Sequence, residues 1–116
     1  MAKVVMLLAQ GPTQPEGDLK DRIELRVALT PQAQIDGAAW ETGILPWIAT
    51  RDRPGHPRRR SELVKIEGGW ALRSLGGQDD PLSSLDVQIV RPGELVGVRR
   101  PNGDELLYRI VAVEPD

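Results

Sequence analysis

A chain of 116 residues, 40% of them hydrophobic, is long enough to bury a core and too apolar to be disordered throughout. It contains no cysteine, which excludes disulfides, thiolate metal sites and a cysteine nucleophile. A net charge of −2 gives the molecule as a whole no strong pull on nucleic acid or on a membrane surface.

Phe is absent, so the core has to be built from Leu, Val and Ile around Trp40, Trp47, Trp70 and Tyr108. Ten prolines and twelve glycines exceed average use and predict short elements joined by many turns. Residues 3–10 are a dense apolar run with little alternation, which predicts a strand covered on both faces. The run is too short to span a membrane, and no small-residue cleavage pattern follows it, so a cytoplasmic protein is expected. Residues 11–18, with two prolines and two glycines, read as a loop. Residues 22–29 alternate, placing Ile23, Leu25, Val27 and Leu29 on one face and Glu24 and Arg26 on the other, which predicts a half-buried strand.

Thr30 followed by Pro31 is a helix-start signal and predicts a short helix near 31–40. Residues 44–50 predict a strand, and Pro46 assigns it to a sheet edge or a bulge because proline cannot donate to a ladder. Residues 51–60 read RDRPGHPRRR, a formal +4 that leaves −6 for the rest of the chain. Pro54 and Pro57 push the residues before them toward extended backbone, and the segment is expected to be a flexible basic loop between strands.

Residues 62–75 predict a hairpin. A three-residue loop of Glu67, Gly68 and Gly69 would gather Val64, Ile66, Trp70 and Leu72 on one face, with Gly69 in the left-handed region. Residues 76–80 read as a turn-rich loop. Asp80 and Pro81 predict a single helical turn over 82–85, and a short strand is expected over 86–90. The last hairpin, residues 91–114, turns at Pro101, Asn102 and Gly103. A three-residue loop places Val98 opposite Leu106, Val96 opposite Tyr108 and Glu94 opposite Ile110, and meets Arg99 with Glu105. A two-residue loop would mix both faces, so the three-residue register with a left-handed Gly103 is expected. Leu95, Leu107, Val111 and Val113 remain on the outer face.

These readings predict a single domain, 1–116, of the all-β class: a mainly antiparallel small barrel or sandwich of about seven or eight short strands with one or two short helices. An α+β arrangement is the alternative. The expected core is Leu25, Val27, Val64, Ile66, Leu72, Val96, Val98, Leu106, Tyr108 and Ile110. Asp80, Pro81 and Leu82, then residues 91–96 reading RPGELV, then Pro101, Asn102 and Gly103, and finally Tyr108, Arg109 and Ile110 resemble the last segment of the C-terminal domain of Gre-type transcript cleavage factors. The resemblance covers less than a third of the chain. It lacks that family's alanine-leucine-leucine-glycine run after Leu82, its turn is one residue longer, and no coiled coil precedes it, so no function is carried over.

Chemistry-bearing patterns are few. His56 is the sole histidine and sits among arginines, which disfavours its charged form and repels a metal ion. Asp79, Asp80 and Asp86 with Ser83 and Ser84 lack the alternating spacing of a calcium loop, and Asp80 reads as a cap. The glycine pairs at 68–69 and 76–77 fit neither a Walker loop nor a dinucleotide fingerprint, and no serine lies in a nucleophile elbow. No catalytic residue, metal site or cofactor is therefore expected. The expectation is a small non-catalytic binding or accessory module, first of all for a protein partner, which a sheet edge at Pro46 or the apolar outer face of the last hairpin would receive. The alternative is binding of a nucleic-acid backbone through Arg51, Arg53, Arg58, Arg59 and Arg60, with Trp47 or Trp70 stacking on a base.

Overall fold

The computed structural model describes residues 1–75 and 81–115. Strand β1, Ala2–Gln10, is followed by β2, Asp18–Val27, and by a short helix α1, Gly37–Thr42. Strands β3, Ile48–Asp52, β4, Arg59–Ile66, and β5, Gly69–Ser74, come next. The chain ends with β6, Ser83–Asp86, β7, Leu95–Arg99, and β8, Glu105–Pro115. Each strand is antiparallel to its neighbour in sequence, and β8 pairs back onto β1, from Ala2 opposite Pro115 to Gln10 opposite Leu107. The all-β expectation therefore resolves into a closed up-and-down barrel, and neither a sandwich nor an α+β arrangement is formed.

The two strands that frame the seam form as their sequences predict. In β1, Val4, Met6 and Leu8 enter the core while Val5 is buried on the other side, so both faces are covered. In β2 the alternation directs Ile23, Leu25 and Val27 inward. The β7–β8 hairpin keeps the expected register: Val98 lies opposite Leu106, Val96 opposite Tyr108 and Arg99 opposite Glu105. Its loop is closed by the Arg100 N–H donating to the Asp104 carbonyl at 2.8 Å and the Gly103 N–H donating to Arg100 at 2.9 Å. Gly103 has φ +92°.

The β4–β5 hairpin departs from expectation. Ile66 lies opposite Gly69 and Leu63 opposite Leu72, so the loop has two residues, and Gly68 rather than Gly69 holds the left-handed position at φ +77°. Leu63, 1% exposed, fills the core, while Val64 and Ile66 are only half-buried on the outside and Leu72 packs on the core's margin. The three-residue register would best segregate an isolated hairpin. In a closed barrel β4 answers to a second neighbour as well: Ala49 lies opposite Ser61 and Arg51 opposite Arg59 on β3, which fixes which face of β4 turns in.

Three further expectations are corrected. Thr30 caps no helix. Its hydroxyl accepts the Gln34 N–H and its carbonyl the Ala33 N–H, making a local turn, and α1 starts later at Asp36, whose carboxylate accepts the Ala39 N–H at 3.1 Å. Residues 83–86 are not a helical turn but strand β6, and 86–90 is not a strand. β6 bridges β5 and β7, with Leu85 between Trp70 and Val98, and without it both neighbours would be unpaired edges. Pro46 precedes β3, and a closed barrel offers no sheet edge, so the docking strand expected there does not exist.

The barrel has two unlike ends. Segment 28–47 carries the chain from β2 to β3 over one end, and the Val90 N–H donates to the Ala33 carbonyl at 2.7 Å, joining 87–94 to the same cover. Trp40, Trp47 and Trp70 form a plug there: Trp40 meets Trp70 edge-on at 5.8 Å, Trp47 stacks on Trp70 at 6.5 Å, and the Trp40 indole N–H donates to the Leu63 carbonyl at 3.0 Å. The other end is bordered by the loops 11–17, 53–58 and 100–104. Two consequences are open to measurement by urea denaturation. No neighbouring atom stands within 4 Å of a Cβ built on Gly68 or Gly103, so alanine at either should cost about 1 kcal/mol through backbone strain alone, and Gly69→Ala clearly less. Val98→Ala or Ile110→Ala should cost about 2–4 kcal/mol, against less than about 1 for Val64→Ala on the outer wall.

Candidate functional site

Strand alternation sorts the basic run that sequence reading treated as one loop. Arg51 and Asp52 belong to β3, Arg59 and Arg60 to β4, and only 53–58 connect them. Ala49 points into the core, so Arg51 and its cross-strand partner Arg59 point into the barrel end opposite the tryptophans. Asp52 and Arg60 face the other way. The Arg58 Nε donates to the Asp52 carboxylate at 2.8 Å, so Arg58 is engaged on the outer wall. Of the five arginines proposed from sequence, the fold thus gathers Arg51, Arg53 and Arg59 and separates Arg58 and Arg60 from them.

The end opposite the tryptophans holds, among the described residues, a cavity of about 90 Å³. Arg51, Arg59 and Arg100 line it together with the hydroxyl-bearing Ser61, Ser74 and Ser83, and Leu72, Val98, Leu106 and Tyr108 form its floor. Arg53 stands close enough to feel the others. Burial, and then repulsion from Arg51, Arg100 and Arg59, hold its guanidinium below the ordinary arginine value, against some attraction from Asp21. Among the described residues no acidic side chain forms an ion pair with Arg53, Arg59 or Arg100.

Beneath the cavity lies a fully engaged polar triad. Asp21, 4% exposed, accepts from Arg51 Nε at 3.1 Å, from Arg51 Nη2 at 2.8 Å and from the Tyr108 hydroxyl at 3.0 Å. Burial by itself lowers the Arg51 pKa, but the hydrogen bond to Asp21 and the charges of Tyr108 and Asp21 outweigh it, and the net direction is upward. Burial pushes the Tyr108 hydroxyl well above its usual value, and Asp21 adds to this, while Arg51 and Arg53 pull the other way. Tyr108 is therefore a permanent donor at neutral pH, and Arg51 is a fixed positive charge whose bidentate face is already spent.

Sequence reasoning missed Asp21, Arg100, Ser61 and Ser74, and weighed Ser83 only as an oxygen donor to calcium. For Asp21 a signal existed: 21 shares the parity of 23, 25 and 27, and a carboxylate on the core face of a strand marks a buried polar partner. Arg100 lies outside the basic run, beside the turn, and carries no signal of its own. Trp47 and Trp70 sit at the plugged end and stack on each other, and Trp47 is 7% exposed, so neither is available to a base at the mouth. His56 lies in the exposed loop with its Nδ1 2.9 Å from the Pro54 carbonyl. Asp79 and Asp80 lie outside the described residues, and among the described residues no three histidine or acidic side chains are grouped to hold a metal ion. A wider groove of about 540 Å³ lies beside Gln10 and Gly97, where Arg99 and Glu105 are paired with each other and Asp86 adds a carboxylate, so it holds no unpaired cation among the described residues.

The chain matches no family model, and no solved structure matches it. It is similar to the symmetrical bis(5'-nucleosyl)-tetraphosphatase of Nitrosococcus oceani, at 30% identity over 82 residues. That match covers 71% of this chain and 26% of the relative, so the chain spans about a quarter of that protein. Among the described residues no helix is long and apolar enough to cross a membrane.

The triad has a pH signature. A hydroxyl whose pKa is raised by folding supports the fold fully below the unfolded value near 10 and loses that support as pH rises above it. Stability should therefore be flat from pH 7 to 9 and fall above about 10. The chain has one tyrosine, so the phenolate absorbance band should fail to appear near pH 10 and rise only with alkaline unfolding. Tyr108→Phe should cost about 1–3 kcal/mol by removing one donor from a buried carboxylate, and should flatten the alkaline fall.

Proposed function

We propose that the chain is a binding module whose working end is the barrel mouth opposite the tryptophans, and that its ligand carries phosphate. The observation that supports this reading is the convergence of Arg51, Arg53, Arg59 and Arg100 on one end of a net-negative molecule, with only Arg51 neutralised by a buried carboxylate among the described residues. Holding like charges together costs free energy that an anion returns, and guanidinium forks match phosphate oxygens bidentately. Serine hydroxyls between the arginines add neutral donors without adding repulsion. Such a donor set is suited to holding and orienting an anion, which supports a binding role. The relative in Nitrosococcus oceani is named for a bis(5'-nucleosyl) tetraphosphate, which shares phosphate with this reading but carries a nucleoside at both ends and no terminal phosphate.

A second reading, docking of a protein partner, rests on Ile44 and Leu45. These adjacent side chains are 97% and 81% exposed just before Pro46, and Leu95 and Val111 add partly exposed apolar surface on the last two strands. The mouth is the better supported of the two, because isolated exposed aliphatics are ordinary on protein surfaces whereas converging unpaired cations are not.

Calorimetric titration with tripolyphosphate tests the first reading. Saturable binding is expected at low salt, weakening as salt rises. Arg59→Ser and Arg100→Ser should each weaken it about tenfold, as expected for loss of one charge-assisted contact, while the Arg58→Ser, Arg60→Ser double change should leave it within about twofold. Absence of saturable binding at low salt, or equal loss from the outer-wall double change, would overturn the mouth as the site.

A further inference from the structure

We infer that the mouth is built for a terminal phosphate group, the end of a nucleotide, nucleic-acid or polyphosphate chain, and that it selects against an internal phosphodiester; this rests on the phosphate reading above. The first ground is size. A cavity of about 90 Å³ takes a group of a few heavy atoms, so a phosphate can enter while a sugar and base stay outside. An internal diester carries a bulky substituent on two of its oxygens, and a cavity of about 90 Å³ has room for neither.

The second ground is charge and donor count. A terminal phosphate presents three strong acceptor oxygens and about −1.5 to −2 charges near neutral pH, whereas a diester offers two unesterified oxygens and a single charge. The lining supplies the forks of Arg59 and Arg100 and the hydroxyls of Ser61, Ser74 and Ser83, more donors than a diester can engage. Burial first, and then repulsion from Arg51, Arg100 and Arg59, holds the Arg53 guanidinium below its ordinary value, and the repulsive part is relieved more by a dianion than by a monoanion.

The third ground is how the parts are fixed. Arg51 is locked by Asp21 through two of its nitrogens, so the floor is a neutralised ion pair that offers neither net charge nor a free fork. Recognition then falls to the rim arginines and the serines, on strands β4 and β5, at the start of β6 and just beyond β7. No tryptophan stands at this end, and Tyr108 is fully buried, so neither offers a stacking ring to a base there. The expected ligand is recognised by its end and not by its sequence.

The test compares two short oligothymidylates, identical except that one bears a 5′-phosphate and the other a 5′-hydroxyl, by fluorescence anisotropy with the label at the 3′ end, with tripolyphosphate as competitor. The 5′-phosphorylated strand is expected to bind about tenfold or more tightly, a difference of one to two charge-assisted contacts. Tripolyphosphate should displace it, which shows that a free polyphosphate end satisfies the same site. The Arg59→Ser, Arg100→Ser double change should erase the difference between the two strands, and Ser83→Ala should narrow it, while thermal melting shows both variants folded. Equal binding of the two strands, with tripolyphosphate still competing, would overturn terminal selectivity and leave the phosphate reading standing. Failure of both strands and of tripolyphosphate to bind would overturn both. Binding that ignores the variants would place the ligand elsewhere and overturn the inference.

Discussion

Strand β8 lies along β1 for almost the whole length of both, and this one ladder turns a meander of hairpins into a barrel. Its effect is larger than its own hydrogen bonds. An open meander would leave β1 and β8 as unpaired edges, each a row of backbone donors and acceptors available to another chain. It would also leave the inner faces of the outermost strands in water. Closure gives every strand two neighbours and forces each residue to be either inside or outside. The ladder carries an extra residue twice, Val111 of β8 opposite the Val5–Met6 step and Ala9 of β1 opposite the Tyr108–Leu107 step, and each such bulge bends the strand that holds it.

That binary choice also makes the site. On an open loop, five arginines would spread into solvent and keep apart. On two closed-barrel strands the alternation sends Arg51 and Arg59 inward together, and Arg100, arriving from the β7–β8 turn, joins them. The interior tolerates this because Asp21 lies on the same inward parity and takes Arg51 with two hydrogen bonds and Tyr108 with a third. A buried carboxylate with every partner in place is sustainable, whereas one stripped of a donor is not.

Much of this order was legible in the sequence where a single neighbour decides the outcome. The β7–β8 register could be read because Pro101, Asn102 and Gly103 and the apolar pattern agree, and Ile23, Leu25 and Val27 announce themselves by strict alternation. What misled were segments under two demands. Val64 and Ile66 look like core residues of a hairpin, but β3 fixes β4's other edge and brings Leu63 in instead. Residues 83–86 carry a cap-and-proline signal, and the gap between β5 and β7 draws them into a strand regardless. The site was half visible. The arginines stood out as a run, but their division into inner and outer sets depends on register, and Arg100 and the serines come from strands far apart in sequence.

The tryptophan plug has a further bearing on how this molecule can be watched. All three tryptophans sit at the covered end, so the intrinsic emission of the protein reports almost wholly on the packing of α1 and segment 28–47 against the core. Occupancy of the mouth changes charge at the opposite pole and places nothing against an indole ring. The fluorophores are therefore a clean thermometer of folding and a blind instrument for the ligand. Should emission shift when an anion is added, the two poles of the barrel would have to be mechanically linked through its wall.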